Sequence, residues 1–88
     1  MTKEFVPGYH ITPIKKGEIG EISKIREELD ELQDAHNQQS KIMELVELSD
    51  LVGAVKLYLT KYHPGTTLQD LDLMASITER AFKNGRRV

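Results

Sequence analysis

The stretch from Ser40 to Tyr62 constrains the fold of this chain more than any other segment. Its hydrophobic residues cover most of the circumference of a helix when they are placed at about 100° per residue. Ser40 is suited to cap the N-terminus of this helix, and Pro64-Gly65 stops it. A helix of this kind must be covered on several sides, so the stretch predicts the central helix of an all-α protein. Its hydrophobic positions are Ile42, Leu45, Val46, Leu48, Leu51, Val52, Val55, Leu57 and Leu59.

A second hydrophobic pattern begins after Gly17 and predicts a helix that ends near Asn37. Isoleucine and leucine recur there at spacings of three and four residues, which gives one apolar stripe over about four turns. Before Gly17, Pro7-Gly8 and Pro13 interrupt any helical period, so we expect residues 1–17 to form an arm. The stripe consists of Ile19, Ile22, Ile25, Leu29 and Leu32.

A third helix is predicted from a cap at Thr66 or Thr67 to Asn84-Gly85. The connection between the first two helices is short, so these helices are expected to pack antiparallel as a hairpin. A chain of 88 residues builds only a small core alone, and the central helix has more apolar circumference than two neighbours cover. We therefore expect one all-α domain at residues 18–88, with a four-helix-bundle-like core completed in a homodimer or homotetramer.

Four acidic residues are placed where a solvated face would not put them. Glu47 and Asp50 lie on the face of the central helix that hydrophobic neighbours favour for burial, and Glu28 and Glu31 border the apolar stripe of the first helix. Acids in a helix–helix interface cost several kcal/mol unless a positive charge compensates them. Antiparallel packing lets all four converge on one cation, and oxygen ligands suit Mg²⁺, with Mn²⁺ as a substitute. On a helical wheel, Glu27, Asp30 and Asp34 point further away from the apolar stripe.

Composition excludes several other kinds of function. The chain has no cysteine, so it holds neither a disulfide nor a thiolate metal site. Its net charge of −2 argues against binding nucleic acid through bulk basicity. No stretch approaches the ~20 apolar residues of a membrane span, and the first residues lack the apolar core of a signal peptide, so we expect a cytoplasmic protein. The histidines, His10, His36 and His63, are scattered over the arm and loops and are expected to be surface or loop residues.

The acidic pattern resembles that of a known family. Glu27-Glu28-Leu29-Asp30-Glu31, followed after fifteen residues by Glu47-Leu48-Ser49-Asp50, resembles the EExxE…ExxD signature of MazG-like all-α nucleoside triphosphate pyrophosphohydrolases. The resemblance covers residues 17–87 and is to the short single-domain members often carried by phages, which would place the protein in a host cytoplasm. It implies that a nucleoside or deoxynucleoside triphosphate is hydrolysed to the monophosphate and pyrophosphate.

The resemblance also implies roles for individual residues. In that family the second and third acids of the first motif and both acids of the second motif bind Mg²⁺; the matching residues are Glu28, Glu31, Glu47 and Asp50. The acids implied in catalysis, where one orients or deprotonates the attacking water, are Glu27 and Glu28. Basic residues after the third helix would contact the triphosphate, and the candidates are Lys83, Asn84, Arg86 and Arg87. Lys24 would contact a phosphate or pair with Glu28 one turn later.

Other interpretations remain open at the level of sequence. Acidic helices with this spacing are commonly solvated faces, which would leave a plain dimerisation domain. A non-catalytic helical module that binds a nucleotide or a partner protein is the second alternative. The base preference is not encoded in any recognisable motif: Phe5, Tyr9, Tyr58 and Tyr62 could stack on a base, but aromatic residues at such positions more often fill a core.

Overall fold

The computed structural model describes residues 10–84, which form three α-helices. They are α1 at Ile22–Asn37, α2 at Lys41–Tyr62 and α3 at Leu68–Lys83. The predicted all-α class and the number of helices are confirmed. None of these helices combines the length and the hydrophobicity that a membrane crossing requires.

The helices α1 and α2 pack against each other as a hairpin. Residues 38–40 connect them, and the hydroxyl of Ser40 accepts a hydrogen bond from Met43 N at 3.2 Å, so the predicted cap is confirmed. At the opposite end, Tyr62 Oη donates to Glu21 Oε1 at 2.6 Å, and Lys61 forms an ion pair with the same carboxylate. Contacts between the start of α1 and the end of α2 establish the predicted antiparallel arrangement.

The first helix begins four residues later than the hydrophobic pattern predicted. Gly20 has a φ of 86°, a left-handed conformation that glycine adopts without strain. The turn that it forms is closed by a hydrogen bond from Glu21 N to Glu18 O at 3.0 Å. Ile19 therefore lies in the turn before α1, where it is exposed, and does not belong to an apolar stripe.

The buried face of α1 is also different from the predicted one. Ile22 and Leu29, both in the predicted stripe, are each 53% exposed. Among the described residues, the hydrophobic side chains that are fully buried are Ala35, Ala54 and Leu59. The buried residues of α1 are Glu27, Glu28, Asp34 and Ala35. The most enclosed part of the hairpin interface thus contains acids, two alanines and Leu59, whereas Ile22 and Leu29 are half exposed.

The third helix stands apart from the hairpin. A capping box at Thr67 and Asp70 starts it, with Asp70 N donating to Thr67 Oγ1 at 3.1 Å and Thr67 N donating to Asp70 Oδ2 at 2.9 Å. No Cα atom of α3 lies within 8 Å of one in α1, and α3 touches α2 only sparsely. No residue of α3 is buried, and its large exposed hydrophobic residues are Leu73, Met74, Ile77 and Phe82.

Candidate metal centre

Four carboxylates converge between the two helices of the hairpin. Glu28 and Glu31 lie one turn apart on α1, and Glu47 and Asp50 lie one turn apart on α2. One carboxylate oxygen from each of these residues lies within 4.8 Å of those of the other three. They are the same four acids that the helical wheels and the resemblance selected, so the structure brings the predicted ligand set together.

The cluster has a buried floor and an open edge. Glu47 is 0% exposed and Glu28 is 5% exposed, whereas Glu31 is partly buried. Asp50 completes the cluster on the solvent side, where it is exposed. The cluster thus grades from buried acids between the helices to an exposed acid at its rim.

The charges in the cluster are in conflict when no cation is bound. Burial raises the pKa of Glu31 to about 8, with further contributions from a hydrogen bond with Glu47 and from the negative charge of Glu28. Glu31 therefore holds a proton at neutral pH in the metal-free protein. Within residues 10–84, Glu28 Oε1 is buried and accepts no hydrogen bond. A buried acceptor without a donor is unfavourable, and a cation would satisfy it.

Lys24 partly compensates the acids from the side of α1. Its Nζ lies 3.1 Å from Glu28 Oε2 and 3.2 Å from Glu27 Oε1. Burial lowers the pKa of Lys24, but the hydrogen bonds to Glu28 and Glu27 outweigh it, and the pKa is raised. The geometry favours the ion pair with Glu28 that the sequence offered as one alternative for Lys24. Its contact with a phosphate stays a prediction.

Glu27 is buried beneath the arm, although the wheel turned it away from the interface. Glu27 Oε1 accepts a hydrogen bond from Gly17 N at 2.8 Å, and Lys16 Nζ lies 3.6 Å from Glu27 Oε2. Burial alone would raise the pKa of Glu27, but the hydrogen bond from Gly17 N and the Lys24 ammonium lower it. Glu27 therefore anchors the arm as an ionised acceptor.

Asp34 anchors the arm two turns further along α1, and sequence reasoning missed it. Asp34 Oδ2 accepts from Ile11 N at 3.0 Å and from Gln38 Nε2 at 2.9 Å, and lies 3.2 Å from His10 Nδ1. Burial opposes the charge of Asp34, but these hydrogen bonds and one from Thr12 lower its pKa. His10 is thus a partly buried residue of the arm. The seven-residue spacing of Glu27 and Asp34, which places both on one helix face, was the available signal.

The predicted phosphate-binding residues are not assembled around the cluster by this single chain. Lys83 Nζ pairs with Glu79 Oε2 at 2.9 Å on its own helix, and Asn84 follows the last turn of α3. No Cα atom of α3 lies within 8 Å of one in α1, so Lys83 does not lie beside the α1 acids. Arg86 and Arg87 lie outside the described residues.

The aromatic candidates for base stacking are only partly described. The rings of Tyr58 and Tyr62 contact each other, with centroids 5.0 Å apart. Phe5 and Tyr9 lie outside the described residues.

In comparisons with known proteins, no protein-family model, no curated protein and no solved structure matches the chain. The resemblance to MazG-like enzymes therefore stays a prediction based on the acidic motifs.

Proposed function

We propose that this protein is a Mg²⁺-dependent nucleoside triphosphate pyrophosphohydrolase of the MazG-like type. The observation that carries the proposal is the convergence of Glu28, Glu31, Glu47 and Asp50 from two antiparallel helices. The spacing EExxE…ExxD, which resembles that family, and the position of these acids in the fold lead to the same ligand set. The proposed products are the nucleoside monophosphate and pyrophosphate.

The burial of the cluster supports a cation in preference to a solvated acidic face. A solvated face would leave its carboxylates in water, yet Glu47 is completely buried and Glu28 nearly so. Burial and, after it, the neighbouring acids raise the pKa of Glu31 to about 8, which favours its protonated form at neutral pH. An all-oxygen set of acids with one open side fits Mg²⁺, which keeps several water molecules and is held by a few carboxylates and substrate phosphates.

The roles of the acids follow from their surroundings. A Mg²⁺ ion bound here would compensate the charge of the triphosphate and lower the pKa of an attacking water. Glu28, Glu31, Glu47 and Asp50 would hold it. Of the two acids predicted to act on the water, Glu28 is better placed, because it belongs to the cluster. Glu27 is engaged by the arm and its pKa is lowered, so it is suited to positioning α1 and the arm.

A second copy of the chain is part of the proposal. The central helix exposes Ile42, Leu45 and Leu57, and α3 exposes Leu73, Met74, Ile77 and Phe82. Hydrophobic surface on this scale is typical of an interface, and a two-fold symmetric dimer is the simplest assembly that covers it. The proposal further holds that a second subunit brings the phosphate-binding residues of α3 and the following segment to the acids; a homotetramer would do the same.

The proposal is tested by product analysis with purified protein and Mg²⁺. We expect pyrophosphate and a monophosphate from at least one of the common ribonucleoside or deoxyribonucleoside triphosphates, detected by ³¹P NMR. Orthophosphate as the first product would contradict the proposed bond cleavage. A non-catalytic nucleotide-binding module would bind the triphosphate without release of pyrophosphate. A plain dimerisation domain would show no stabilisation by Mg²⁺ in thermal melting.

A further inference from the structure

The arm brings a nitrogen ligand to the edge of the carboxylate cluster. His10 Nε2 lies 3.8 Å from Glu31 Oε1. One ligand atom from each of His10, Glu31 and Glu47 lies within 4.8 Å of the other two. Two atoms bound to one ion at ~2.1 Å are about 3 Å apart at right angles and about 4 Å apart when opposite each other. The spacing of His10 and Glu31 is therefore that of two ligands of a common ion.

The imidazole of His10 is oriented by a buried acid. Asp34 is 2% exposed and also accepts hydrogen bonds from Ile11 N and Gln38 Nε2. His10 Nδ1 lies 3.2 Å from Asp34 Oδ2. Because a carboxylate accepts hydrogen bonds, Asp34 favours the tautomer in which His10 Nδ1 carries the proton. In that tautomer Nε2, which lies 3.8 Å from Glu31 Oε1, is the ring nitrogen that can bind a metal ion. An acid that holds one ring nitrogen while the other binds a metal is the usual outer-shell arrangement of metal-binding histidines.

The position of the arm is built into the packing of the chain. Gly17 N donates to the buried Glu27, and a Cβ atom at Gly17 would lie 2.1 Å from Ser23 O, so only glycine permits this approach to α1. Together with the contacts of Asp34, this fixes the arm at two points along α1. These two anchors, Glu27 and Asp34, lie before and after the acids of α1 that belong to the cluster, and they hold His10 beside it.

An independent feature of the same cluster indicates a positive ligand. Glu28 is 5% exposed, and its Oε1 is buried and accepts no hydrogen bond within the described part of the chain. Glu28 belongs to the same four-carboxylate cluster as Glu31 and Glu47, the two acids near His10. The cation that would satisfy it would lie within the group of acids that includes Glu31 and Glu47.

We propose that His10 Nε2, Glu31 and Glu47 form a second metal position, which shares two acids with the four-carboxylate position. Its occupant is a borderline divalent ion of the Mn²⁺-to-Zn²⁺ class, because a mixed imidazole and carboxylate set binds these ions better than Mg²⁺. The inference rests on the metal centre of the proposed function, but it does not require that a nucleotide be hydrolysed. His63 provides a matched control, since its ring lies against Tyr58 in the loop after α2.

The experiment is a Zn²⁺ titration of the protein labelled with ¹⁵N-histidine, in the presence of saturating Mg²⁺. We expect the ¹⁵N signal of His10 Nε2 to shift on Zn²⁺ binding, with His63 unchanged. His10→Ala should weaken Zn²⁺ binding about 10–100-fold by calorimetry, as loss of a ligand or its support does. It should leave Mg²⁺ stabilisation at the wild-type value, and His63→Ala should match the wild type in both.

The possible failures are distinguishable. If Mg²⁺ stabilises the protein but Zn²⁺ leaves His10 Nε2 unshifted, the second position is wrong and the four-carboxylate centre stands. If Zn²⁺ shifts only His36 or His63, the assignment to His10 is likewise overturned. If neither ion binds, both the second position and the metal centre fail. The labelled wild-type chain gives these answers even if His10→Ala perturbs the arm, and His10→Gln, which keeps a polar side chain, provides the second variant.

Discussion

The α1–α2 hairpin and α3 bury opposite kinds of surface. The hairpin encloses acids, with Glu47 at 0% exposure, whereas α3 leaves hydrophobic side chains in water, with Leu73 at 68% exposure. Buried charge and exposed apolar patches are the two departures from ordinary burial that carry information. The first is costly unless a cation is present, and the second unless another protein surface is present. The two regions therefore support different proposals: a metal ion for the hairpin and a second subunit for α3.

The largest effect that separates the two regions concerns catalysis. Replacing Glu47 with Gln removes a buried ligand at nearly constant volume, and we expect pyrophosphate release to fall by about 10²–10³-fold or more, as with the loss of one strong electrostatic contact to a transition state. Glu79→Gln is the matched control in α3, where the acid is exposed and pairs with Lys83. Initial rates at saturating Mg²⁺ provide the measurement. Equal rates for the two variants would remove the distinction between hairpin and α3 acids.

The next effect concerns assembly through α3. Ile77→Glu places a charge on the exposed apolar face, and we expect a shift from dimer to monomer in light scattering. Ile77 is 57% exposed in the single chain and would be buried in the proposed dimer. Loss of that burial corresponds to about 2 kcal/mol, which lowers the melting temperature by roughly 10 °C in a domain of this size. Gln69→Glu adds the same charge at an exposed polar site of α3 and should leave the dimer intact. A wild-type protein that is already monomeric at micromolar concentration would refute the proposed dimer.

A smaller effect concerns the pH dependence of the stability of the hairpin, which follows from the raised pKa of Glu31. The pKa of Glu31 is raised to about 8 in the fold from its ordinary value of 4.5. The folded protein therefore keeps a proton that the unfolded chain loses, and this stabilisation is complete at acid pH and lost as the pH rises through about 8. We expect the metal-free melting temperature to decline by several degrees between about pH 5.5 and 8.5. Glu31→Gln should flatten this decline.

The same proton gives a calorimetric check. Binding of Mg²⁺ at neutral pH should release about one proton from the wild type, since a ligand must be deprotonated to bind. Calorimetry in buffers with different ionisation enthalpies measures that number. The raised pKa of Glu31 would be contradicted by two results together: the same pH profile of stability for the wild type and Glu31→Gln, and no proton release on Mg²⁺ binding.

The smallest effect compares the buried and exposed members of the cluster. Without metal, Glu47→Gln should raise the free energy of unfolding by about 1 kcal/mol, because neutralising a crowded functional charge commonly stabilises a fold. Asp50→Asn should change it less, since Asp50 is exposed and exposed charges contribute little. With Mg²⁺ at ~100 times its dissociation constant, the wild type should gain about 2.7 kcal/mol and both variants much less. Denaturant unfolding with and without Mg²⁺ measures all of these values; an equal metal response in all three proteins would contradict the ligand set.

The three helices and the four-acid cluster were predictable from sequence because they depend on local rules. Ser40 and Thr67 cap α2 and α3 through hydrogen bonds to residues three positions later. Helical periodicity places Glu28 with Glu31 and Glu47 with Asp50, and the short connection at residues 38–40 forces the antiparallel packing that brings the pairs together. Each of these features requires only the geometry of one helix or of one tight connection.

The tertiary structure alone decided which face of α1 is buried and where the arm lies. Glu27 and Asp34 are buried because backbone N–H groups of Gly17 and Ile11, ten and twenty-three residues away, need acceptors there. That pairing also places His10 at the edge of the cluster. Helical periodicity could not reveal it, because the wheel of a helix specifies which side chains share a face but not which distant segment covers that face.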